Sequence, residues 1–327
     1  MVKIPERINL ANLPTRIEKL SRLSEELAGP NIYIKRDDQT GSEMSGNKVR
    51  KLEYAVKEAL NQGCDTLITC GGIQSNHARA TAAVAARLGI NSCLLLKSDE
   101  TPDVDGNYFL DKVLGADIRF ASSDDFSERR MEIMEEIKEA LAKEGKKGYV
   151  IPVGASNGIG TFGYYNAMDE IKKQEEELGV NFDAIVISVG SGGTYAGLFL
   201  ASKIKGYKTK IYGVNVCDDE EYFVNQVDTV LKESLEYIDA ELEYSKEEIN
   251  ILDGYVGEGY ALSRPEEIEF IHDLARKEGI ILDPVYTGKG MYGLVNEIKK
   301  GTFKDCKNIL FIHTGGLFGL FPKKDLF

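Results

Sequence analysis

Residues 66–97 read TLITCGGIQSNHARATAAVAARLGINSCLLLK. An apolar, β-branched run meets two glycines and a polar turn, passes into an alanine-rich helical stretch, and returns through a glycine to a second apolar run. Each run is short and apolar enough to be covered on both faces, which is the pattern of strand, crossover helix and parallel strand. The pattern extends outward. NIYIKR (31–36) and VRKLEYAVKEALNQG (49–63) precede it. GYVIPVG (148–154), TFGYYNAMDEIKKQEEELG (161–179), DAIVISVG (183–190), GGTYAGLFLASKIKG (192–206) and KIYGVNV (210–216) follow it. The fold class is therefore α/β with open, largely parallel sheets. Residues 218–253 are charged and read as helical. SRPEEIEFIHDLARKEG (263–279) reads as a helix opening at Ser263 with Pro265 in its first turn, and NILFIHTGG (308–316) as a last strand.

Composition narrows the function. The 327 residues are 43% apolar, enough for one large domain or two moderate ones, and 40 Lys+Arg against 53 Asp+Glu give a formal charge of −13. That charge repels phosphate backbones, so nucleic acid is not an expected partner. No apolar run approaches the roughly 20 residues of a membrane span, and the start MVKIPERINLANL lacks the form of a secretory signal, so a cytoplasmic protein is expected. Five cysteines without a CxxC pair, and three histidines without HxxxH spacing, predict no disulfide framework and no metal site.

Four polar or glycine-rich segments fall at the carboxyl ends of predicted strands, where open α/β sheets place ligands. Gly71 to His77 could receive a carboxylate at a helix N-terminus, or simply cap that helix with Ser75 or Asn76. Ser188 to Gly197 offers free amides and hydroxyls for a phosphate; a dinucleotide fingerprint fails because Tyr195 stands at its third glycine position, and a structural turn is the alternative. Gly154-Ala155-Ser156-Asn157-Gly158 matches a hydrolase elbow with His272 and His313 downstream, but the glycines that follow favour a flexible connection. His313-Thr314-Gly315-Gly316 and Asp283-Pro284-Val285-Tyr286-Thr287-Gly288-Lys289 could be ordinary turns, and Lys48 in Ser45-Gly46-Asn47-Lys48 an ordinary surface lysine.

Together these segments resemble a known family. LPTRIEKL, KRDDQTG, SGNKVRKLE, GGIQSNHARATAA, PVGASNGIGTFGY, SVGSGGTYAGL, DPVYTGKGMYGL and HTGGLFGLF occur in that order over nearly the whole chain. They resemble the tryptophan-synthase-like, fold-type-II group of pyridoxal-phosphate enzymes, and within it the D-cysteine desulfhydrase and 1-aminocyclopropane-1-carboxylate deaminase family. The resemblance implies a large domain of residues 1–48 and 158–327, a small inserted domain of 49–157, pyridoxal 5'-phosphate between them, and a homodimer. It makes Lys48 the Schiff-base lysine and general base, Asn76 the partner of the cofactor's phenolic oxygen, and Gly190, Ser191, Gly192, Gly193 and Thr194 with Lys51 the phosphate grip. Gln74, Ser75 and His77 would receive the substrate carboxylate. Tyr286 would stand beside the ring, Tyr260 would be a further active-site tyrosine, both catalytic with Lys48 and Ser75, and Thr314 would face the ring nitrogen.

The deaminases resemble DPVYEGK, with a glutamate near the ring nitrogen, where this chain has Thr287 as a further cofactor-binding residue, which favours the desulfhydrase branch: β-elimination of D-cysteine to sulfide, pyruvate and ammonia. Aminocyclopropane-carboxylate deamination, or lyase action on L-cysteine or cysteate, are the alternatives within the family. A Ser156-based hydrolase is the alternative outside it.

Overall fold

The structure is a computed structural model describing residues 2–327. In chain order it places β1 (Ile17–Lys19), α1 (Ser21–Leu27), β2 (Asn31–Lys35), α2 (Lys48–Asn61), β3 (Thr66–Gly72), α3 (Asn76–Leu88) and β4 (Asn91–Lys97). Then come α4 (Gly106–Val113), β5 (Asp117–Ala121), α5 (Ser123–Lys143), β6 (Gly148–Ile151), α6 (Gly158–Leu178), β7 (Ala184–Val189), α7 (Gly193–Lys205) and β8 (Lys210–Asn215). α8 (Glu220–Leu235), β9 (Asn250–Leu252), α9 (Pro265–Glu278), α10 (Thr287–Lys300), β10 (Asn308–Ile312) and α11 (Leu317–Leu320) complete the chain.

Two sheets result. One has the order β1-β2-β10-β7-β8-β9, parallel except for the edge strand β1; the other, β5-β4-β3-β6, is parallel throughout. The central strands β7 and β10 are buried at every residue, as unbroken apolar runs between two helical layers should be. On one face of the larger sheet Phe162, Met168, Tyr195 and Leu198 fill the core; on the other Ile271, Met291, Leu294 and Phe303 do.

Three expectations need correction. Residues 218–253 are not helical throughout: α8 ends at Leu235, and Asn250–Leu252 adds a strand to the sheet edge. Three residues are too few to display an alternation, and the strand is held by tertiary contact, the Asn250 amide donating to the Tyr195 hydroxyl at 2.8 Å. α9 is capped at Arg264, not Ser263: the Arg264 amide donates to Glu267 while Ser263 Oγ donates to the Pro284 carbonyl. Finally, Gly158 and Gly160 do not mark a flexible connection but lie inside α6, which starts straight after its cap Asn157. A Cβ on Gly158 would meet the Glu233 carbonyl oxygen at 2.6 Å and one on Gly163 that of Arg50 at 2.5 Å, so these glycines let neighbouring helices approach.

A buried ion network steadies the segment leading to α2. Asp37 accepts from Arg50 Nε and Nη2, both at 2.8 Å, from Thr15 Oγ1 at 2.6 Å and from the Tyr164 hydroxyl. Glu170 joins Arg50 and Lys35 to it. Burial opposes ionisation of Asp37, but Arg50 and Lys35 hold its carboxyl down at about 2. The Asp37 carbonyl then accepts from the Gly46 amide, fixing the turn two residues before Lys48.

Candidate active site

A cavity of about 410 Å³ opens between the carboxyl ends of the two sheets. It is lined by Lys48, Ser75, Asn76, His77, Gly190, Ser191, Gly192, Thr194, Tyr260, Tyr286 and Thr314, so most of the residues singled out from sequence meet there.

Lys48 is the first residue of α2. Gly46, at φ +108° with the Thr314 carbonyl oxygen 2.8 Å from where a Cβ would sit, lets the preceding turn pass against the loop after β10. Lys48 Nζ donates to Asn47 Oδ1 at 3.0 Å and makes no salt bridge among the described residues; Asn47 Nδ2 donates to Thr194 Oγ1 at 2.9 Å. Burial lowers the Lys48 pKa to about 8, with the more distant Asp283 charge opposing. An amine so placed is available as a nucleophile and base near neutral pH.

The loop after β3 supplies Ser75, which caps α3 by accepting from the Ala78 amide at 3.1 Å while its residue also faces the cavity. His77 is buried, its Nε2 2.8 Å from Thr69 Oγ1, and burial keeps it neutral. The loop after β7 turns at Gly192 into α7, and Ser191, Gly192 and Thr194 line the cavity at that helix start. Ser156 Oγ lies 2.8 Å from Ser191 Oγ and accepts from the Gly193 amide at 3.2 Å and Lys51 Nζ at 3.1 Å. Thr314 follows β10; its neighbour His313 is buried and neutral, donating to the Ile281 carbonyl. The Tyr260 and Tyr286 hydroxyls are 2.5 Å apart, and burial raises the Tyr286 phenol well above its usual range.

Four of the expected residues do not line the cavity. Gln74 accepts from the Asn107 amide at 2.8 Å and donates to the Asp105 carbonyl, tying down the start of α4 instead of facing a substrate. Thr287, 0% exposed, donates to Asp283 Oδ1 at 2.7 Å; it follows Tyr286 by about 100° around the helix, which turns it from the cavity into the core. Gly193 spends its amide on Ser156 and Ser191, and Lys51 stands behind Ser156. The hydrogen bonds of Ser156 run to Lys51, Ser191, Gly193 and Gly154, none to a histidine, so the hydrolase constellation is not assembled.

Sequence reasoning missed Asn47, Lys97, Phe126, Ser127, Arg130, Cys217 and Asp218 on the cavity wall. Cys217 and Asp218 directly follow β8, so the strand-end rule could have found them. Phe126 to Arg130 come from the start of α5, where no motif signals them.

The donor set fits an aldehyde cofactor carrying a phosphate. Lys51 is buried beside a helix N-terminus without a carboxylate partner among the described residues, and burial depresses its pKa strongly, with Lys48 adding to it. A bound dianion would relieve that unbalanced site. Lys48 offers the amine an aldehyde needs.

With this site on a two-sheet α/β frame, the chain matches the family model "Pyridoxal-phosphate dependent enzyme" over residues 8–315, and it belongs to that family. It is 45% identical to a bifunctional D-cysteine desulfhydrase/1-aminocyclopropane-1-carboxylate deaminase, mitochondrial, of Arabidopsis thaliana, over 97% of this chain and 80% of the relative. A D-cysteine desulfhydrase of Serratia proteamaculans is 40% identical, over 96% and 95% of the two chains. A crystal structure of an ACC deaminase homologue superposes with a TM-score of 0.90 at 40% identity, covering 98% of this chain and 95% of that one. Among the described residues no helix is long and apolar enough to cross a membrane.

Proposed function

We propose that the chain eliminates thiol from D-cysteine, yielding sulfide, pyruvate and ammonia. Lys48 would carry pyridoxal 5'-phosphate, and Ser191, Gly192, Thr194 and the α7 amides after Gly193, backed by Ser156 and Lys51, would grip the phosphate. Bound there, the cofactor supplies an electron sink for the bond broken at the substrate α-carbon.

The chain's own groups account for the rest. Lys48, with its pKa near 8, takes the α-proton at Nζ as the Cβ–S bond breaks, and water hydrolyses the released 2-aminoacrylate, once tautomerised to its imine, to pyruvate and ammonia. Ser75 and the start of α3 orient the substrate carboxylate. The paired Tyr260 and Tyr286 hydroxyls sit where they can hand a proton to the departing sulfur. Residues 49–157 act as a small domain closing the cavity over residues 1–48 and 158–327.

One observation carries elimination over ring opening: beside Lys48 the inner wall holds hydroxyls, and Asp218, the one carboxylate lining the cavity among the described residues, is exposed. Thr314, which the resemblance sets at the ring nitrogen, stabilises its protonated form less than a carboxylate would. Such a site suits a leaving group that departs readily, as thiolate does. The name of the Serratia relative supports the same choice, and that of the Arabidopsis relative carries both activities. The exposed side chains of Val104, Phe109, Val113 and Phe120 are consistent with a homodimer, which sedimentation would test.

The test is sulfide and pyruvate release from D-cysteine, with L-cysteine and 1-aminocyclopropane-1-carboxylate in parallel. Turnover of D-cysteine well above the others supports the reading. Ammonia and 2-oxobutyrate from the cyclopropane substrate without sulfide from D-cysteine would overturn it in favour of the deaminase.

A further inference from the structure

Asn76 faces the cavity with one half of its amide, and the structure determines which half. A side-chain amide has an acceptor oxygen and a donor nitrogen that look alike in outline, so its polarity must be read from its partners. Arg79 provides a fixed starting point because guanidinium groups only donate. Its Nε lies 2.7 Å from the Asn107 side chain, so the atom of Asn107 on that side is Oδ1. Asn107 Nδ2 therefore points the other way, donating to the Gln74 carbonyl at 2.9 Å and to Asn76 at 3.0 Å. The Asn76 atom that receives it is Oδ1. That leaves Asn76 Nδ2 for the cavity, whose wall Asn76 forms beside Lys48.

Neither end of this chain is free to reverse. Arg79 is fully buried and donates from Nη2 to the Ser45 carbonyl at 2.9 Å and from Nη1 to that of Glu43, in the loop before Lys48. Asn107 is fully buried, its backbone amide held by Gln74 Oε1.

We propose that Asn107, oriented by Arg79, is a positioning residue that makes Asn76 present an N–H to the cavity and so selects an acceptor oxygen at that point of the ligand. The inference rests on the reading of Asn76 as the partner of the cofactor's phenolic oxygen. A donor there favours the deprotonated oxygen; an amide free to turn, or turned the wrong way, loses that preference. Asn107→Leu removes the instruction and Asn107→Asp reverses it, since a carboxylate still accepts from Arg79 but sets an oxygen against Asn76 Oδ1.

The experiment follows the pH titration of the visible band of the holoenzyme, and cofactor affinity by fluorescence titration of the apoprotein. The variants are Asn107→Leu, Asn107→Asp, Asn76→Leu and the double Leu variant. Both Asn107 variants are expected to raise the pH midpoint by about one unit and weaken the cofactor about tenfold, the scale of one hydrogen bond to a charged group. In the Asn76→Leu background, Asn107→Leu should shift the midpoint no further, whereas a merely structural role would add to it. If Asn76→Leu moves the midpoint and neither Asn107 variant does, the relay is refuted. An unchanged midpoint in Asn76→Leu would remove the underlying reading of Asn76, and the inference with it. Neutron diffraction of deuterated wild-type crystals needs no variant: deuterium on the cavity side of the Asn76 amide supports the relay, and deuterium on the Asn107 side overturns it.

Discussion

The amine of Lys48 should titrate far below an ordinary lysine. Its ammonium is desolvated and makes no salt bridge, and the Asp283 charge recovers only part of the loss, leaving the pKa at about 8 against an ordinary 10.5. That difference raises the free-amine fraction at pH 7 from about 0.03% to about 10%, some 300-fold, and costs the apoprotein about 3 kcal/mol. The sign follows from the depressed pKa of a base: the unfolded chain holds the proton more tightly, so stability rises as pH climbs from about 8 to 10.5. Trace acetylation of the apoprotein from about pH 6 to 11, with peptide mass spectrometry, reads the titration of each lysine separately. Lys48 should reach half-maximal labelling near pH 8 while surface lysines are still protonated. Half-labelling above about pH 10 would refute the desolvation argument and, with it, the case for Lys48 as a base at neutral pH.

Other consequences are as direct. Asp37→Asn leaves Arg50 buried with Glu170 as its remaining carboxylate, and should cost about 3 kcal/mol or more by urea denaturation. Because the folded pKa of Asp37 is depressed to about 2, its contribution is present above the unfolded value near 3.8 and lost as pH falls through 2. Asp111 is 0% exposed with neither carboxylate oxygen hydrogen-bonded, and burial pushes it up to about 7, with Arg79 opposing. A raised acid destabilises as pH climbs from its unfolded toward its folded pKa, so Asp111→Asn should gain stability that grows to about 4 kcal/mol by about pH 8; a pH-independent effect would contradict this. Gly46→Ala should lower cofactor retention on gel filtration, since its Cβ meets the Thr314 carbonyl at a backbone angle only glycine adopts easily. Thr287→Glu should fail to create good deaminase activity, because the position is buried beside Asp283 and two carboxylates would crowd there; high turnover in that single variant would show the branch difference is simpler.

The fold was legible because its central strands are buried on both faces and stand out as apolar runs, TLITC, AIVIS and NILFI, each reaching a glycine or a hydroxyl within two residues. β9 was not, because three residues carry no period and the strand depends on a hydrogen bond to Tyr195, 55 positions away. At the site, residues inside the quoted motifs were legible: Lys48, Ser75, Asn76, Gly190 to Gly192, Tyr286 and Thr314 all reach the cavity. Gln74 and Thr287 stand within the same motifs but face away, a matter of side-chain direction that a motif does not encode. Asn107 was invisible for the opposite reason. It lies in no motif, and its part comes from three hydrogen bonds made across the small sheet's helices.

The central claim, that the cavity around Lys48 is the cofactor site, is tested most directly by borohydride reduction of the holoenzyme followed by peptide mapping. A pyridoxyl-phosphate adduct on the peptide carrying Lys48, with none in Lys48→Ala, is the expected result. An adduct on another lysine, Lys51 or Lys289 for instance, or an unmodified Lys48 in a fully loaded and active preparation, would contradict it.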